Sequence, residues 1–173
     1  MYYMKEDLNL QCPYKVTKQP KDSTYYFTTI SGIIYRAIFI KYGELFKGTV
    51  GEIFADNVYM FNIENVTPVI KLPSRDPGIF LTVECIIEHF FTNPDNILIY
   101  VCDVADKREL ARSRMFNWWY LRAKNKSNYI KVADTIITDD ADMYSAVIFK
   151  KDNAFNAEII KACNDLNAQL KKD

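Results

Sequence analysis

The chain has 173 residues, of which 49% are hydrophobic and 25% charged, proportions typical of one globular domain rather than a disordered chain. Its 22 basic and 22 acidic residues balance, which argues against a general nucleic-acid binder, because such proteins carry a basic excess that contacts phosphates. No apolar segment reaches the roughly 20 residues of a membrane-spanning helix, and the N-terminal residues lack the pattern of a signal peptide. We therefore expect a soluble, cytoplasmic protein with one domain over residues 1–173.

The N-terminal third predicts an irregular arm followed by strands. Residues 1–15 mix polar and aromatic side chains without any period, so we expect an irregular N-terminal arm. Tyr25–Ile30 and Ile33–Ile40 are rich in β-branched and aromatic residues, and Ser31-Gly32 separates them, which is typical of a β-hairpin. The segment Glu52–Ile63 is a third predicted strand.

A helix and a buried strand follow in the middle of the chain. Asp76 is suited to cap the first free N–H groups of a helix and Pro77 to occupy its first position, so we predict a helix from there to about Phe91. The apolar run Ile97–Cys102 does not alternate with polar residues. Such a run predicts a strand covered on both faces, and hence a central strand of the sheet.

The C-terminal half predicts a second helix, a second hairpin and a final helix. The second helix follows Asp103 and extends to about Ala123. Tyr129–Thr138 and Met143–Lys150 are predicted strands, and residues 154–171 form a predicted amphipathic helix. This order predicts an α+β fold with a mixed, mainly antiparallel sheet, an N-terminal hairpin, a helix-strand-helix centre, a second hairpin and a C-terminal helix.

Two carboxylates stand at the predicted start of the second helix. Asp103 and Asp106 have the spacing of an acidic capping box and complement the positive end of the helix dipole. With Glu109 they also suggest a divalent metal site, as in metal-dependent nucleases. The contiguity of the three residues argues against this, because such sites usually draw carboxylates from several elements. We therefore predict no metal.

Two arginines of the same helix are candidate site residues. On a helical wheel Arg108 and Arg112 share an arc with Met115, Trp118 and Trp119, which predicts that the guanidinium groups lie over the domain body. A buried guanidinium needs partners, which favours an ion-pair network with acidic side chains. The alternatives are an anion or phosphate site at this corner, and a solvated or partner-binding surface.

Other reactive residue types give weaker signals. Trp118 and Trp119 are predicted to anchor the core, and an exposed tryptophan would instead indicate a protein interface. His89 is predicted at the surface of its helix, and Cys102, at the end of an apolar strand, as an inert buried thiol. The four cysteines are scattered with no close pair in sequence, so reduced thiols are favoured over disulfides and no zinc set is present.

The segment that ends at Trp119 resembles the signature of an uncharacterised family of small bacterial proteins, a domain of unknown function. In that family an amphipathic helix ends in Phe-Phe and Asn-Pro, an apolar strand ends in Cys-Asp, and an arginine-rich helix follows. The matching residues are Phe90, Phe91, Asn93, Pro94, Tyr100, Cys102, Asp103, Asp106, Arg108, Arg112, Arg114, Phe116 and Trp119. The resemblance implies a soluble bacterial protein and brings no catalytic residues.

Three functions stay open on the sequence. The first is a non-enzymatic domain that binds another protein or a second copy of itself, without a cofactor, through an aromatic surface or the C-terminal helix. The second is binding or processing of a small phosphate-bearing ligand at the corner formed by Asp103, Asp106, Arg108 and Arg112. The third, nucleic-acid binding through arginines and tryptophans, is disfavoured by the balanced charge.

Overall fold

The computed structural model describes residues 6–20, 22–67, 76–102, 109–137 and 142–170. Within these ranges the chain forms an eight-stranded mixed sheet and three α-helices, which confirms the predicted α+β class. The strands are β1 Glu6–Asp7, β2 Thr17–Lys18, β3 Thr24–Thr28, β4 Ile34–Lys41, β5 Val58–Asn65, β6 Ile97–Cys102, β7 Tyr129–Ile137 and β8 Asp142–Lys150. The helices are α1 Pro77–Phe90, α2 Glu109–Arg122 and α3 Asn156–Leu170. None of these helices combines the length and the apolar character that crossing a membrane requires.

The order of strands in the sheet is β1-β2-β3-β4-β5-β6-β8-β7. Strands β5 and β6 run parallel, with Val58 opposite Ile97 and Met60 opposite Ile99. Two parallel strands need a crossover connection, and α1 lies in the chain segment that provides it. Strand β8 pairs antiparallel with both β6 and β7, so the predicted second hairpin is confirmed.

The N-terminal hairpin is confirmed, whereas the third predicted strand is only half right. Strands β3 and β4 pair antiparallel around a turn in which Gly32 adopts a φ of +78°. Val50–Asn57, the segment before β5, forms a 3-10 helix instead of a strand. Thr49 Oγ1 caps it by accepting from the Gly51 N–H at 3.0 Å, and the buried ring of Phe54 lies 5.0 Å from that of Phe46. A short polar cap and one buried aromatic ring therefore override the strand propensity of this segment.

The chain divides into two compact units: Met1–Ile40 with Phe61–Thr92, and Lys41–Met60 with Asn93–Asp173. The predicted single domain stays a prediction. In the first unit the ring of Phe39 stacks on Phe90 of α1 at 4.1 Å and packs on Phe61 at 5.1 Å. Helix α1 begins as predicted, because Asp76 accepts a hydrogen bond from the Gly78 N–H and Pro77 occupies the first turn. The predicted irregular arm also contains the two-residue strand β1.

The second unit has a core of its own, in which one face of α3 packs against strands and the 3-10 segment. Its fully or nearly fully buried side chains are Phe46, Phe54, Val58, Ile97, Ile99, Phe149, Ile159, Ala162 and Cys163. Helix α3 contributes Ile159, Ala162 and Cys163 at a spacing of three and four residues, which confirms an amphipathic C-terminal helix. Strand β6 is buried at five of its six positions, as its unbroken apolar run predicts.

Candidate functional site

Of the four residues in the predicted acidic and basic corner, the structure describes only Arg112. Asp103, Asp106 and Arg108 lie outside the described residues, and Arg112 is half-buried on α2. The choice between an ion-pair network and an anion site at this corner therefore stays a prediction. Among the residues that the structure describes, no three His, Cys, Asp or Glu side chains come together in a way that would hold a metal ion.

Aromatic side chains of α2 pack this helix against the strands of the second unit. The ring of Phe116 stacks on Tyr100 of β6 at 4.7 Å, and Trp119 meets Phe116 edge to face at 5.5 Å. The hydroxyl of Tyr120 donates to the backbone carbonyl of Tyr129 at 3.4 Å. The inward side of α2 is therefore the side of Phe116, Trp119 and Tyr120.

A lysine, which the sequence did not single out, fixes this orientation. Lys131 of β7 donates from Nζ to Asn117 Oδ1 at 3.0 Å, and its ammonium lies 5.5 Å from the ring centre of Tyr100 and 5.2 Å from that of Tyr120. A cation over two aromatic faces is attracted by both ring quadrupoles. Burial lowers the pKa of Lys131 and raises the pKa of Tyr100 and Tyr120. The only signal in the sequence was a lysine inside a predicted strand.

The opposite side of α2 presents large apolar side chains to solvent. Leu110 is 41% exposed, Trp118 46% and Leu121 54%. Arg114 and Arg122 are exposed between them, and the guanidinium of Arg122 lies 4.5 Å from the centre of the Trp118 ring. We call this surface the α2 outer face and define it by Leu110, Arg114, Trp118, Leu121 and Arg122. Arg114, Trp118 and Leu121 are four, eight and eleven residues from Leu110, so these four side chains lie along one side of the helix, and Arg122, four residues beyond Trp118, lies at the margin of this side.

The two tryptophans therefore have different environments. Trp119 is half-buried against Phe116, as predicted for a core anchor. The same prediction is wrong for Trp118, because its side chain is 46% exposed. The packing arc read from the helical wheel is therefore displaced at Trp118.

The two remaining candidate residues, Cys102 and His89, are packed within the fold. Cys102 is fully buried, which agrees with an inert thiol. His89 is only partly exposed, and its ring packs edge to face on Tyr25 at 6.0 Å. Burial is the main cause that lowers the pKa of His89, with a smaller contribution from the positive charge of Lys18.

A cleft of about 470 Å³ lies in the second unit between the start of the 3-10 segment and α3. Its lining consists of Gly48, Thr49, Val50, Ala162, Asp165 and Leu166. Asp165 is the one ionisable residue of this lining, and it is exposed. Catalytic sites usually bring several polar groups together in a protected pocket, so this cleft offers little chemistry.

Comparisons with known proteins give a family and no activity. No curated protein matches the chain. Among solved structures the chain is similar to a CoA-dependent acyl-homoserine lactone synthase, MesI, at 12% identity over 91% of this chain and 78% of that chain, with a TM-score of 0.38. A likeness of this degree carries no argument about function. The model of a family of unknown function matches residues 75–165, more than half of the chain, which confirms the resemblance seen in the sequence: the chain belongs to the family DUF6169.

Proposed function

We propose that this protein is a non-enzymatic interaction domain that binds an acidic surface of another protein through the α2 outer face. The observation that carries the proposal is the exposure of Leu110, Trp118 and Leu121 along one side of a single helix. Scattered exposed apolar residues are normal, but a contiguous stripe that includes tryptophan is typical of a protein interface. Tryptophan and arginine are also the residue types that dominate binding energy at interfaces.

The charge of α2 indicates the kind of partner. Arg112, Arg114 and Arg122 lie on this helix, and its only acidic residue is Glu109. Two of the three arginines, Arg114 and Arg122, are exposed on the outer face. A guanidinium pairs with a carboxylate through two parallel hydrogen bonds, so an acidic partner surface complements this face. The stacking of Arg122 on Trp118 restricts its side chain in advance, which reduces the entropy lost on binding.

The proposal places the protein in the cytoplasm, where the four free cysteines would stay reduced under ordinary conditions. The two alternatives from the sequence have weaker support. The phosphate-ligand corner rests on Asp103, Asp106 and Arg108, outside the described residues. Nucleic-acid binding has the balanced net charge against it.

The test uses a synthetic amphipathic peptide with leucines on one helical face and glutamates on the other, labelled for fluorescence anisotropy. The wild-type protein should bind this peptide, and the affinity should fall as salt is added, because charge pairs contribute. Trp118→Ala should weaken binding by about tenfold or more, the range typical of an interface hot spot. The double variant R114E/R122E should abolish binding by charge reversal.

The matched control is Ile53→Ala, which removes an exposed apolar side chain that is 62% accessible and lies outside α2. It should bind the peptide as the wild type does, and thermal melts should show that all variants fold. Equal binding of a peptide with lysines in place of the glutamates would contradict the proposal. So would tighter binding to single-stranded RNA, or self-association in sedimentation that Trp118→Ala abolishes.

A further inference from the structure

The N-terminal segment around Cys12 is fastened along α1 within the first unit. The backbone N–H of Tyr14 donates to Thr82 Oγ1 at 3.3 Å, and the Tyr14 hydroxyl donates to Asp76 Oδ2 at 2.7 Å. The thiol of Cys85 donates to the backbone carbonyl of Gln11 at 3.6 Å. Contacts at the start of α1 and one turn beyond Thr82 therefore hold the segment from residue 11 to residue 14 alongside the helix.

This arrangement brings together two cysteines that are far apart in the sequence. The Cys85 thiol lies 3.6 Å from the carbonyl oxygen of Gln11, the residue that precedes Cys12, so the fold places the two cysteines side by side, and both are free and half-buried. Cys102 and Cys163, in contrast, are 0% and 4% exposed. Cys12 and Cys85 are reduced and far apart in the sequence, as expected, but they are neighbours in the fold. Sequence spacing hid the pair, because the fold and not the local chain makes the contact.

We propose that Cys12 and Cys85 form a reversible disulfide by exchange with a small-molecule disulfide such as oxidised glutathione. One cysteine thiolate attacks a sulfur of the glutathione disulfide and releases one glutathione thiolate, which leaves a mixed disulfide on the protein. The second cysteine thiolate then attacks the protein sulfur of that mixed disulfide and expels the second glutathione. Two protein thiols are oxidised to one S–S bond, and one glutathione disulfide is reduced to two glutathione thiols.

The surroundings of the two thiols determine how fast the disulfide forms and how much it stabilises the protein. Burial is the main cause that raises the pKa of Cys12 to about 12, with a smaller contribution from the neighbouring Cys85 thiol, so little thiolate exists there at neutral pH. We therefore expect slow exchange that accelerates as pH rises. The bond would close a long loop between the N-terminal segment and α1, which removes entropy from the unfolded chain and should raise Tm by roughly 5–15 °C.

A metal ion is a weaker explanation for the pair. Two thiols supply only half of a tetrahedral zinc site. No third His, Cys, Asp or Glu completes such a group among the residues that the structure describes. His89, one turn beyond Cys85 on α1, packs its ring on Tyr25.

The experiment incubates the full chain in glutathione buffers of increasing oxidised fraction, blocks the remaining thiols with N-ethylmaleimide and maps the peptides by mass spectrometry. The wild type should lose two blocking groups and yield a peptide cross-linked between Cys12 and Cys85, and dithiothreitol should reverse both changes. Cys12→Ser and Cys85→Ser should each abolish the cross-link, whereas the control Cys163→Ser should retain it. The folded protein should favour the cross-link by about tenfold or more over the same chain in denaturant, because the fold raises the effective concentration of the two thiols.

Three results would overturn the proposal. The first is stable mixed disulfides with glutathione at Cys12 or Cys85 and no internal cross-link. The second is a cross-link that involves Cys102 or Cys163 in the folded protein. The third is equal cross-linking in the native and the denatured chain, which would show that the fold contributes nothing. The last comparison uses only the wild type, so it does not depend on whether a variant folds.

Discussion

Helices α1 and α2 both have fourteen residues, but they place their large apolar side chains in opposite ways. Helix α1 buries Val83, Ile86 and Phe90 and starts at a side-chain cap. Helix α2 leaves Leu110, Trp118 and Leu121 substantially exposed. Exposed apolar surface contributes little to folding, so α1 stabilises the fold more than α2 does, and the exposed side of α2 is the surface on which the proposed function depends.

The two helices are also held by different forces. Helix α1 packs through close apolar contact, of which the stacking of Phe90 on Phe39 at 4.1 Å is one example. Among the contacts that hold helix α2 are the stacking of Phe116 on Tyr100 and the hydrogen bond from Lys131 to Asn117. The side chains of Leu110, Trp118 and Leu121 nevertheless stay partly exposed.

The largest expected effect is on the packing of α1. Ile86 is fully buried, and Ile86→Ala should lower the free energy of unfolding by about 2–5 kcal/mol, through lost burial and the cavity left behind. The matched change on the other helix is Leu121→Ala, at a side chain that is 54% exposed, and it should stay within about 0.5 kcal/mol of the wild type. Urea unfolding measures both. Similar losses for the two variants would remove the distinction between the helices.

A smaller effect is expected at the cap of α1. Asp76 accepts from the Gly78 N–H at 2.8 Å and from the Tyr14 hydroxyl at 2.7 Å. Asp76→Ala should lower the free energy of unfolding by about 1 kcal/mol, the usual contribution of an N-cap. Asp76→Asn keeps an acceptor oxygen and should retain most of that stability. Thermal unfolding of the two variants checks this, and equal losses would show that charge rather than capping stabilises the helix start.

The sequence predicts those elements whose signals are local. The strand Ile97–Cys102 has its predicted bounds because an unbroken apolar run lies between polar turns. Helix α1 begins at the predicted cap because Asp76 and Pro77 act within one turn. Both features depend on neighbours in the chain, so a single sequence was sufficient to find them.

The candidate site depends on contacts between distant parts of the chain, and there the sequence was insufficient. Apolar residues surround α2 on most sides, so the helical wheel has no single stripe and its rotation cannot be read from spacing. The contacts of Lys131 with Tyr100 and Asn117 decide that rotation. The pairing of Cys12 with Cys85 also depends on tertiary structure. The exposed Trp118 and the thiol pair were therefore found only in three dimensions.

The smallest effect that separates the helices is a pH dependence of α1. His89 is the only histidine of the chain, and burial lowers its pKa below the ordinary value of 6.5. Its charged neighbours act in opposite directions: Lys18 lowers the pKa and Glu6 raises it, while the ring of Tyr25 covers the imidazole. Below about pH 6.5 the unfolded chain therefore binds a proton that the folded chain resists.

The stability contributed by neutral His89 is thus fully present above pH 6.5 and is lost as pH falls from there through its folded pKa. The variant His89→Gln cannot titrate at this position, so only the wild type should lose this stability on acidification. The free energy of unfolding of the wild type minus that of the variant should therefore decrease as pH falls from about 7 to about 5. Urea unfolding at several pH values measures this difference. The pH dependence that comes from carboxylates is the same in both proteins and cancels in the comparison. Helix α2 contains no residue that normally titrates in this range, so Trp118→Ala should give a difference from wild type that is constant with pH. If the difference for His89→Gln were also constant with pH, the imidazole would be as well solvated in the folded protein as in the unfolded chain. Helix α1 would then be less tightly packed at its C-terminal turn than the contact with Tyr25 indicates.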